Sequence, residues 1–375
     1  MRSIVLAAAF ACMFFSSAAA GSFVAQHRVS VTDNATRGVS LDGKVVVGSR
    51  GFLASLWIDG VGFVTLPDRG NESSVSDANQ DGSVVVGRRF DNSSIYYQAV
   101  RWTQGDSIVL GRGLASDVTP DGAVIVGRQD LGFLFNSTES QPFQWTESSG
   151  MVGLGYLPGP TETLGGAVAV SADGSVIAGY SSSANTFSFS TEAFLWTQAG
   201  GMIGLGDLPG GNFNSTAIDM SADGSIVVGN GTTGAPGDDA IQQGFRWTQS
   251  TGMVAMGVGS RVNAISADGS TMVGHGFTAP NVSEAVLWNS AGAMHSIKAL
   301  LQAQGINMTG WVLNEATAVS ADGRVIVGSA RKNSEEFVDF IAVIPEPAGA
   351  LLALQLATIA CGMSRFRGRM RSQQA

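Results

Sequence analysis

The sequence predicts an all-β fold: a seven-bladed β-propeller of four-stranded antiparallel blades, with an N-terminal strand that closes the last blade. Three repeated phrases predict it. An Asp-Gly pair recurs seven times, each time before a valine-rich run, at intervals of 39 to 54 residues. A phrase with one tryptophan, such as AFLWTQAGG, follows each of the first six copies. A Gly-rich phrase such as LGDLPGG comes next in the first five, and such regular self-similarity is typical of stacked repeat units.

Each copy supplies four short strands, which in the fourth copy are predicted at residues 167–171, 175–179, 192–197 and 202–205. The Asp-Gly pair predicts a tight turn between the first two strands, because glycine accepts the positive φ that such turns need. A calcium loop needs several closely spaced oxygen ligands, whereas each motif offers one carboxylate. We therefore interpret the seven turn aspartates as structural: Asp42, Asp81, Asp121, Asp173, Asp223, Asp268 and Asp322.

The strand phrases AFLW and SVVVG are continuous apolar runs rather than alternating ones. Such runs are typical of sheets that are covered on both faces. Four-stranded sheets that stack around a central axis meet this requirement, and that arrangement is a propeller. We expect the tryptophan of each copy to pack as a wedge between adjacent blades: Trp57, Trp102, Trp145, Trp196, Trp247 and Trp288.

The seventh copy lacks a fourth strand, and residues 22–31 are predicted to supply it. Its third strand is predicted within residues 336–344, with phenylalanine in place of tryptophan. After Trp288, residues 297–304 are predicted to be helical, and Trp311 to open an extra strand or an extended link. An eighth, degenerate blade remains the alternative at this point.

Both ends of the chain carry sorting features. Residues 1–20 have a basic start, a short apolar run and a small-residue site that includes Ala18 and Ala20, which predicts a signal peptide cleaved before Gly21. Residues 345–375 begin with Pro345, Glu346 and Pro347. They continue with an apolar segment at 348–363, predicted to be a hydrophobic transmembrane helix, and end in a basic anchor of Arg365, Arg367, Arg369 and Arg371.

The order of tripeptide, apolar segment and arginine cluster resembles a PEP-CTERM sorting signal. This resemblance implies recognition and removal of the tail by a membrane exosortase, after transient membrane anchoring. An ordinary C-terminal membrane anchor that is retained is the alternative. The remaining body, residues 21–344, would then be exported to the cell envelope, the outer surface or the extracellular space.

The phrases SADG…VVG, AFLWTQAGGM and LGDLPGG, spread over residues 36–343, resemble the HAF repeats of extracellular bacterial proteins. The resemblance implies the fold and the export of the body. It implies no activity, so the function has to be argued from the residues.

Composition excludes several classes of function. Residues 21–344 contain 16 basic and 29 acidic residues, and a net charge of −13 disfavours nucleic acid as a partner. The two cysteines, Cys12 and Cys361, lie outside this body, which excludes disulfides and thiolate chemistry from it. The three histidines show no spacing typical of a metal site, and the repeated serines are not single nucleophiles. We expect no metal, no cofactor and no catalytic residues.

The length of the copies varies mainly in the loop after the second strand. In an antiparallel four-stranded blade this loop lies at the same end as the link to the next blade, and loops on a rigid scaffold often carry recognition. The candidate binding residues in these segments are Tyr96, Tyr97, Phe135, Tyr180, Phe187, Asp238 and Asp239. We expect a non-enzymatic protein that binds exopolysaccharide, another glycan or surface proteins there. The alternative is a secreted propeller hydrolase or lyase that acts on polysaccharide with Asp238 and Asp239.

Overall fold

A computed structural model describes residues 22–344 except for 28–37, 41–43, 51–52, 59–60, 68–71, 94–95, 104, 133–138, 160–162, 187–189, 211, 234–240, 281 and 334–337. The predicted signal peptide and sorting tail therefore lie outside the described residues. So do the turn residue Asp42 and the loop residues Phe135, Phe187, Asp238 and Asp239. Within the described part of the chain, no helix is both long and apolar enough to span a membrane.

The described residues form 27 strands and one short helix. The first two repeats contain β2 (Gly38–Val39), β3 (Val45–Arg50), β4 (Leu53–Ile58), β5 (Gly62–Thr65), β6 (Ser73–Ala78), β7 (Val85–Asp91), β8 (Tyr96–Thr103) and the first part of β9 (Asp106–Val118). The third and fourth repeats contain the rest of β9 and β10 (Val124–Asp130), β11 (Ser140–Thr146), β12 (Gly150–Gly153), β13 (Gly165–Val170), β14 (Val176–Ser181), β15 (Glu192–Thr197) and β16 (Gly201–Gly204).

The remaining repeats complete the ring. The fifth and sixth contain β17 (Ser215–Met220), β18 (Ile226–Thr233), β19 (Ile241–Thr248), β20 (Gly252–Val258), β21 (Arg261–Ile265), β22 (Thr271–Ala279), β23 (Val282–Asn289) and β24 (Met294–Ser296). Helix α1 (Ile297–Ala303) follows, and the seventh repeat contains β25 (Trp311–Val319), β26 (Val325–Lys332) and β27 (Val338–Val343). The N-terminal strand is β1 (Ser22–His27). In the fourth repeat the predicted strands are confirmed to within two residues.

Five repeats form separate four-stranded antiparallel sheets, whereas the second and third share one sheet of seven strands. The prediction of seven separate blades is therefore wrong: five blades are separate. The reason lies in β9, whose first part pairs with β8 up to Arg112 and whose second part pairs with β10 from Gly113 onward. The link between these repeats is too short to interrupt the strand, and Gly113, at φ +129°, lets the backbone turn there.

The last blade has the strand order β1-β27-β26-β25, so the prediction that an N-terminal strand closes it is confirmed. Strand β1 runs antiparallel to β27, with Ser22 opposite Val343. The register also corrects the prediction for β27. Phe340 lies opposite Gly328, the position that Phe194 takes opposite Gly179 in the fourth repeat. The tryptophan position of the seventh repeat is instead Ala342, opposite Ile326.

The hydrophobic core consists of clusters between successive repeats. Trp102 and Trp288 are fully buried, and each packs against the repeat before its own. The other four tryptophans are partly buried in the corresponding clusters, which confirms the predicted wedge. Val39 and Val46 of the first repeat pack against Ala318 and Val327 of the seventh. The ring is therefore closed by side-chain packing as well as by β1.

The Asp-Gly turns are held by side chains as well as by glycine. In the fourth repeat, Asp173 accepts hydrogen bonds from the Ser171 hydroxyl at 2.7 Å and from the Ser175 backbone at 3.0 Å. The Ser171 hydroxyl in turn accepts a bond from the Val176 N–H at 2.9 Å. These donors hold the pKa of Asp173 at about 2, below its ordinary value. Gly174 has φ +74°, and a Cβ there would also press on Val124 of the preceding repeat.

A backbone hydrogen bond joins neighbouring turns at this end of the molecule, which we call the turn face. The residue before each turn aspartate donates its N–H to the carbonyl of the equivalent residue in the next repeat. The pairs are Gln80 to Pro120 at 3.3 Å, Ala172 to Ala222 at 2.8 Å, Ala222 to Ala267 at 2.9 Å and Ala267 to Ala321 at 3.1 Å. Pro120 has no N–H, so it cannot donate to the next turn. We call the opposite end, where the variable loops lie, the loop face.

The glycine that ends each VVG phrase lies against the first strand of its own blade. A Cβ on Gly179 would lie 2.2 Å from the carbonyl oxygen of Gly166 and 2.7 Å from the Phe194 ring. The first strand approaches this closely because it contains a β-bulge between Ala167 and Ala169. The same bulge and the same close approach recur in the other described blades that carry this phrase, except that of the first repeat.

The segment after Trp288 packs between the sixth and seventh repeats. Helix α1 confirms the helical prediction, ending one residue earlier than expected, and it buries Ile297 and Leu301 against the last blade. Trp311 does not open an extra strand: it is the first residue of β25, the innermost strand of the seventh repeat. An eighth blade is absent from the described part of the chain.

Candidate functional site

The innermost strands surround a cavity of about 270 Å³ at the turn-face end of the ring. Its wall is formed by residues that immediately precede the Asp-Gly turns in six of the repeats, together with Val39 of the first. We call it the axial cavity. Apolar side chains such as Val168 and Ile218 line much of it, and the charged groups in its wall are three aspartates: Asp77, Asp117 and Asp219.

These aspartates occupy one position of the repeat, four residues before the turn aspartate. The fourth, sixth and seventh repeats have alanine there, and the first has glycine. The position directly follows the β-bulge of each innermost strand, so the side chain lies at the wall of the axial cavity. Sequence reasoning missed them because we treated each copy as an apolar strand. An alignment of the seven copies would have revealed them, because a carboxylate recurs where a small residue is otherwise found.

Burial raises the pKa values of all three aspartates, because the cavity wall solvates a charged carboxylate poorly. The pKa of Asp77 rises to about 6 and that of Asp219 to about 7. The pKa of Asp117 is raised well above its ordinary value by burial and by the neighbouring charge of Asp77. The side chains of Asp77 and Asp117 are hydrogen-bonded to each other, which requires a proton on one of the two carboxyl groups.

The same carboxyl groups also bind the next blade. Asp117 accepts a hydrogen bond from the Val170 N–H at 2.7 Å, and Asp219 accepts one from the Ile265 N–H at 2.8 Å. Each donor lies one residue after the equivalent of the aspartate position in the next innermost strand. The aspartates therefore join adjacent repeats around the cavity, and their oxygens are engaged by backbone N–H groups.

Tyr96 and Tyr97 are the first two residues of β8, at the loop-face end of the second repeat, so they lie in a strand and not in the loop where they were predicted. Consecutive strand residues point to opposite faces of a sheet, so the two rings lie on opposite sides of the blade. On the side of Tyr96, Trp102 packs against the first repeat. On the side of Tyr97, Ala99 packs against the third repeat. The structure therefore separates two side chains that are adjacent in the sequence.

Each of these tyrosines carries an arginine on its ring. The Arg88 guanidinium lies 4.2 Å from the centre of the Tyr97 ring, and the Arg112 guanidinium lies 4.3 Å from that of Tyr96. These distances are typical of cation–π contacts. Phe90 packs edge-on against Tyr97, with 5.3 Å between the ring centres. Sequence reasoning missed both arginines, because only the strand pairing brings them to the tyrosines.

Polar groups surround the two rings. The Tyr97 hydroxyl donates to Glu72 at 3.4 Å. On the other side of the blade, Gln98 accepts a hydrogen bond from Arg89 at 3.3 Å and donates to Asp91 at 3.0 Å. The loop-face end of this blade is therefore a surface of aromatic rings, guanidinium groups, an amide and the carboxylates of Glu72 and Asp91.

Tyr180 occupies a corresponding end of the fourth repeat, and it is hydrogen-bonded to Arg128 of the third. Arg128 also forms an ion pair with Asp130 at 2.9 Å. The structure thus places a further Tyr–Arg contact on the loop face, but this arginine has a carboxylate partner. No contact brings Tyr180 together with Tyr96 or Tyr97 among the described residues.

Among the described residues, no group of three His, Cys, Asp or Glu side chains is arranged so that it could hold a metal ion. The described turn aspartates are hydrogen-bonded within their turns. The sorting tripeptide, the cleavage residues and the basic anchor lie outside the described residues.

No family model matches this chain, and no curated protein matches it. Among solved structures, the β-propeller domain of the Trilobed protease from Pyrococcus furiosus superposes with a TM-score of 0.50 at 8% identity, over 82% of this chain and 94% of that one. That domain is described as having an open velcro topology, whereas here β1 completes the last blade. The likeness confirms the β-propeller fold.

Two TolB structures are less similar. TolB from Acinetobacter baumannii gives a TM-score of 0.44 at 12% identity, over 68% of this chain and 60% of that one. The putative TolB from Agrobacterium tumefaciens gives 0.44 at 13% identity, over 64% and 89%. This chain spans less than two thirds of the first of them.

Proposed function

We propose that the protein is an exported, non-enzymatic binding protein of the cell surface or extracellular matrix, which recognises a glycan or a protein through its loop face. The observation that carries this proposal is the paired Tyr–Arg arrangement on the second repeat. Tyrosine presents an apolar ring with a polar tip, and arginine adds planar hydrogen-bonding capacity. Such a surface suits sugars and polar protein segments.

The axial cavity supports the non-enzymatic part of the proposal. Its aspartates have the raised pKa values that acid–base catalysts often show. However, Asp117 and Asp219 accept backbone hydrogen bonds from neighbouring repeats, and Asp77 is bonded to Asp117. Through these contacts the carboxyl groups hold neighbouring repeats together. The rival function is cleavage of polysaccharide by a hydrolase or a lyase. It depends on Asp238 and Asp239, which lie outside the described residues.

A binding panel tests the proposal. The purified body, residues 21–344, is presented to polysaccharides and to envelope extracts, and retained material is analysed for both bound partners and cleaved products. We expect retention that is lost in the Tyr96→Ala, Tyr97→Ala variant. A complete lack of retention would contradict the proposal. Products released by the body, but not by the Asp238→Asn, Asp239→Asn variant, would favour the rival.

Export and tail processing form the second part of the proposal. They rest on the segments at residues 1–20 and 345–375. Intact-mass measurement of protein recovered from the producing cell should give a chain that begins at Gly21. It should also lack the apolar segment and arginine cluster of the tail. A recovered chain with an intact tail would point to the membrane anchor instead.

A further inference from the structure

The two Tyr–Arg pairs of the second repeat differ from the third Tyr–Arg contact in their charge balance. Arg128 is neutralised by Asp130. Arg88 and Arg112 form no ion pair among the described residues, although both are partly buried. In addition, the Arg112 Nε is buried without a hydrogen-bond partner there. Unneutralised, partly buried guanidinium groups are costly, and an anionic ligand would compensate for them.

Both guanidinium groups are held in place. Arg88 lies on the Tyr97 ring and donates from Nε to the Ser74 hydroxyl at 3.2 Å. Arg112 lies on the Tyr96 ring. Because a held guanidinium loses less conformational entropy when it binds, it is well prepared for a planar acceptor such as a carboxylate. The wider surface also contains Glu72 and Asp91, each of which is hydrogen-bonded to a neighbour, Tyr97 or Gln98.

The position of the pairs sets the size of the ligand. They lie on opposite sides of one blade, so a single small acid reaches one of them. An extended polymer that crosses the loop-face end of the blade reaches both. A chain of repeated negative charges therefore gains from simultaneous contacts, which strengthen binding without any new type of contact.

We infer that the second repeat binds an acidic, carboxylate-bearing polysaccharide, with Arg88 and Arg112 each receiving a carboxylate from one polymer chain. This inference rests on the proposed loop-face function and names its ligand class. The net charge of the body, −13 from 16 basic and 29 acidic residues, opposes every polyanion, nucleic acid included, so binding has to come from the local contacts of Arg88 and Arg112.

The test compares polygalacturonate, its fully methyl-esterified form, dextran sulfate, dextran and single-stranded DNA in affinity electrophoresis of the body. We expect retardation by polygalacturonate that weakens as salt rises, and little retardation by the ester or by dextran. Short oligomers should bind more weakly than the polymer. Arg88→Gln and Arg112→Gln should each weaken binding about tenfold, and the double variant about a hundredfold. Arg324→Gln removes the same charge from the turn face and should bind like the wild type.

The outcomes separate the inference from the proposed function. The inference would be overturned if the protein bound the methyl ester as tightly as the free acid. It would also be overturned if the folded double variant bound polygalacturonate as tightly as the wild type does. Either result would still be compatible with recognition of a neutral glycan by the loop face. Preference for dextran sulfate or DNA over polygalacturonate would also overturn it. Loss of all glycan and protein binding in both experiments would overturn the proposed function as well. Matching melting temperatures of the variants and the wild type show that the fold is intact.

Discussion

Asp77 and Asp117 occupy the same position of successive repeats, and their side chains are hydrogen-bonded to each other at the wall of the axial cavity. A carboxyl pair of this kind stays partly protonated where isolated aspartates are ionised. With Asp219, it makes the stability of the ring depend on pH in an unusual window.

Stability should fall as the pH rises from about 4 to about 7. In this range the folded protein keeps protons on the axial aspartates, since the pKa of Asp77 is about 6 and that of Asp219 about 7. The unfolded chain has already released them, so each rise in pH favours unfolding until the pH passes the folded-state pKa. Thermal melts between pH 4 and 8 measure this slope.

Asp219→Asn should flatten that slope, because it removes the titrating carboxyl group. The amide oxygen can accept the Ile265 N–H, but the amide NH2 then faces the Met220 N–H, which the other carboxyl oxygen accepts, so the variant should be less stable than the wild type at pH 4. Asp173→Asn is the matched control. The pKa of Asp173 is lowered to about 2, so its stabilising effect is lost only as the pH falls from about 4 toward 2. An unchanged slope in the Asp219→Asn variant would contradict the assigned pKa.

Gly179→Ala should destabilise the protein by about 3 kcal/mol or more, because the new methyl group would overlap the Gly166 carbonyl oxygen. Gly201→Ala serves as the control. Gly201 has φ +67° but open space around its Cβ position, so only backbone strain of about 1 kcal/mol is expected. Denaturant unfolding of both variants gives the comparison. Similar losses would show that the close approach is unimportant.

Phe23→Ala should weaken ring closure. The Phe23 ring lies 5.1 Å from the Trp311 ring and 6.1 Å from the Phe340 ring, measured between centres. We expect a loss of about 2 kcal/mol, below the usual cost for a fully buried phenylalanine, because Phe23 is partly exposed. Phe277→Ala, at a phenylalanine that is 45% exposed, should cost about 0.5 kcal/mol or less.

Deletion of residues 22–31 extends the same experiment. It removes β1 and leaves β27 as an unpaired edge, so cooperative unfolding should be lost. A truncated protein that melts like the wild type would show that β1 does not close the ring.

Much of this fold could be predicted because each element is specified locally and seven times over. The turn at Asp173 and Gly174, the apolar strands and the missing fourth strand of the last repeat all follow from short-range patterns. The shared sheet of the second and third repeats could not be predicted from such patterns, because it depends on the short link between the last strand of one repeat and the first strand of the next. The position of Phe340 was also missed, since only the observed register shows which residue opposes Gly328.

The candidate site was predictable in part. Tyr96 and Tyr97 were found because they lie in a variable segment, but their separation depends on the alternation of side chains along β8. Arg88 and Arg112 belong to other strands, and pairing is needed to bring them near. The axial aspartates Asp77, Asp117 and Asp219 can be recognised only by comparing the copies with one another, because no single copy shows that the position recurs.

The pairing of Ser22 with Val343 has a consequence for how the protein is made. Translation releases the outermost strand of the last blade first and its other three strands last. Until the ribosome has added residue 343, strand β1 lacks its complete pairing partner β27, and a shorter chain cannot form the complete last blade. Folding of this molecule therefore ends only after synthesis of the body is complete.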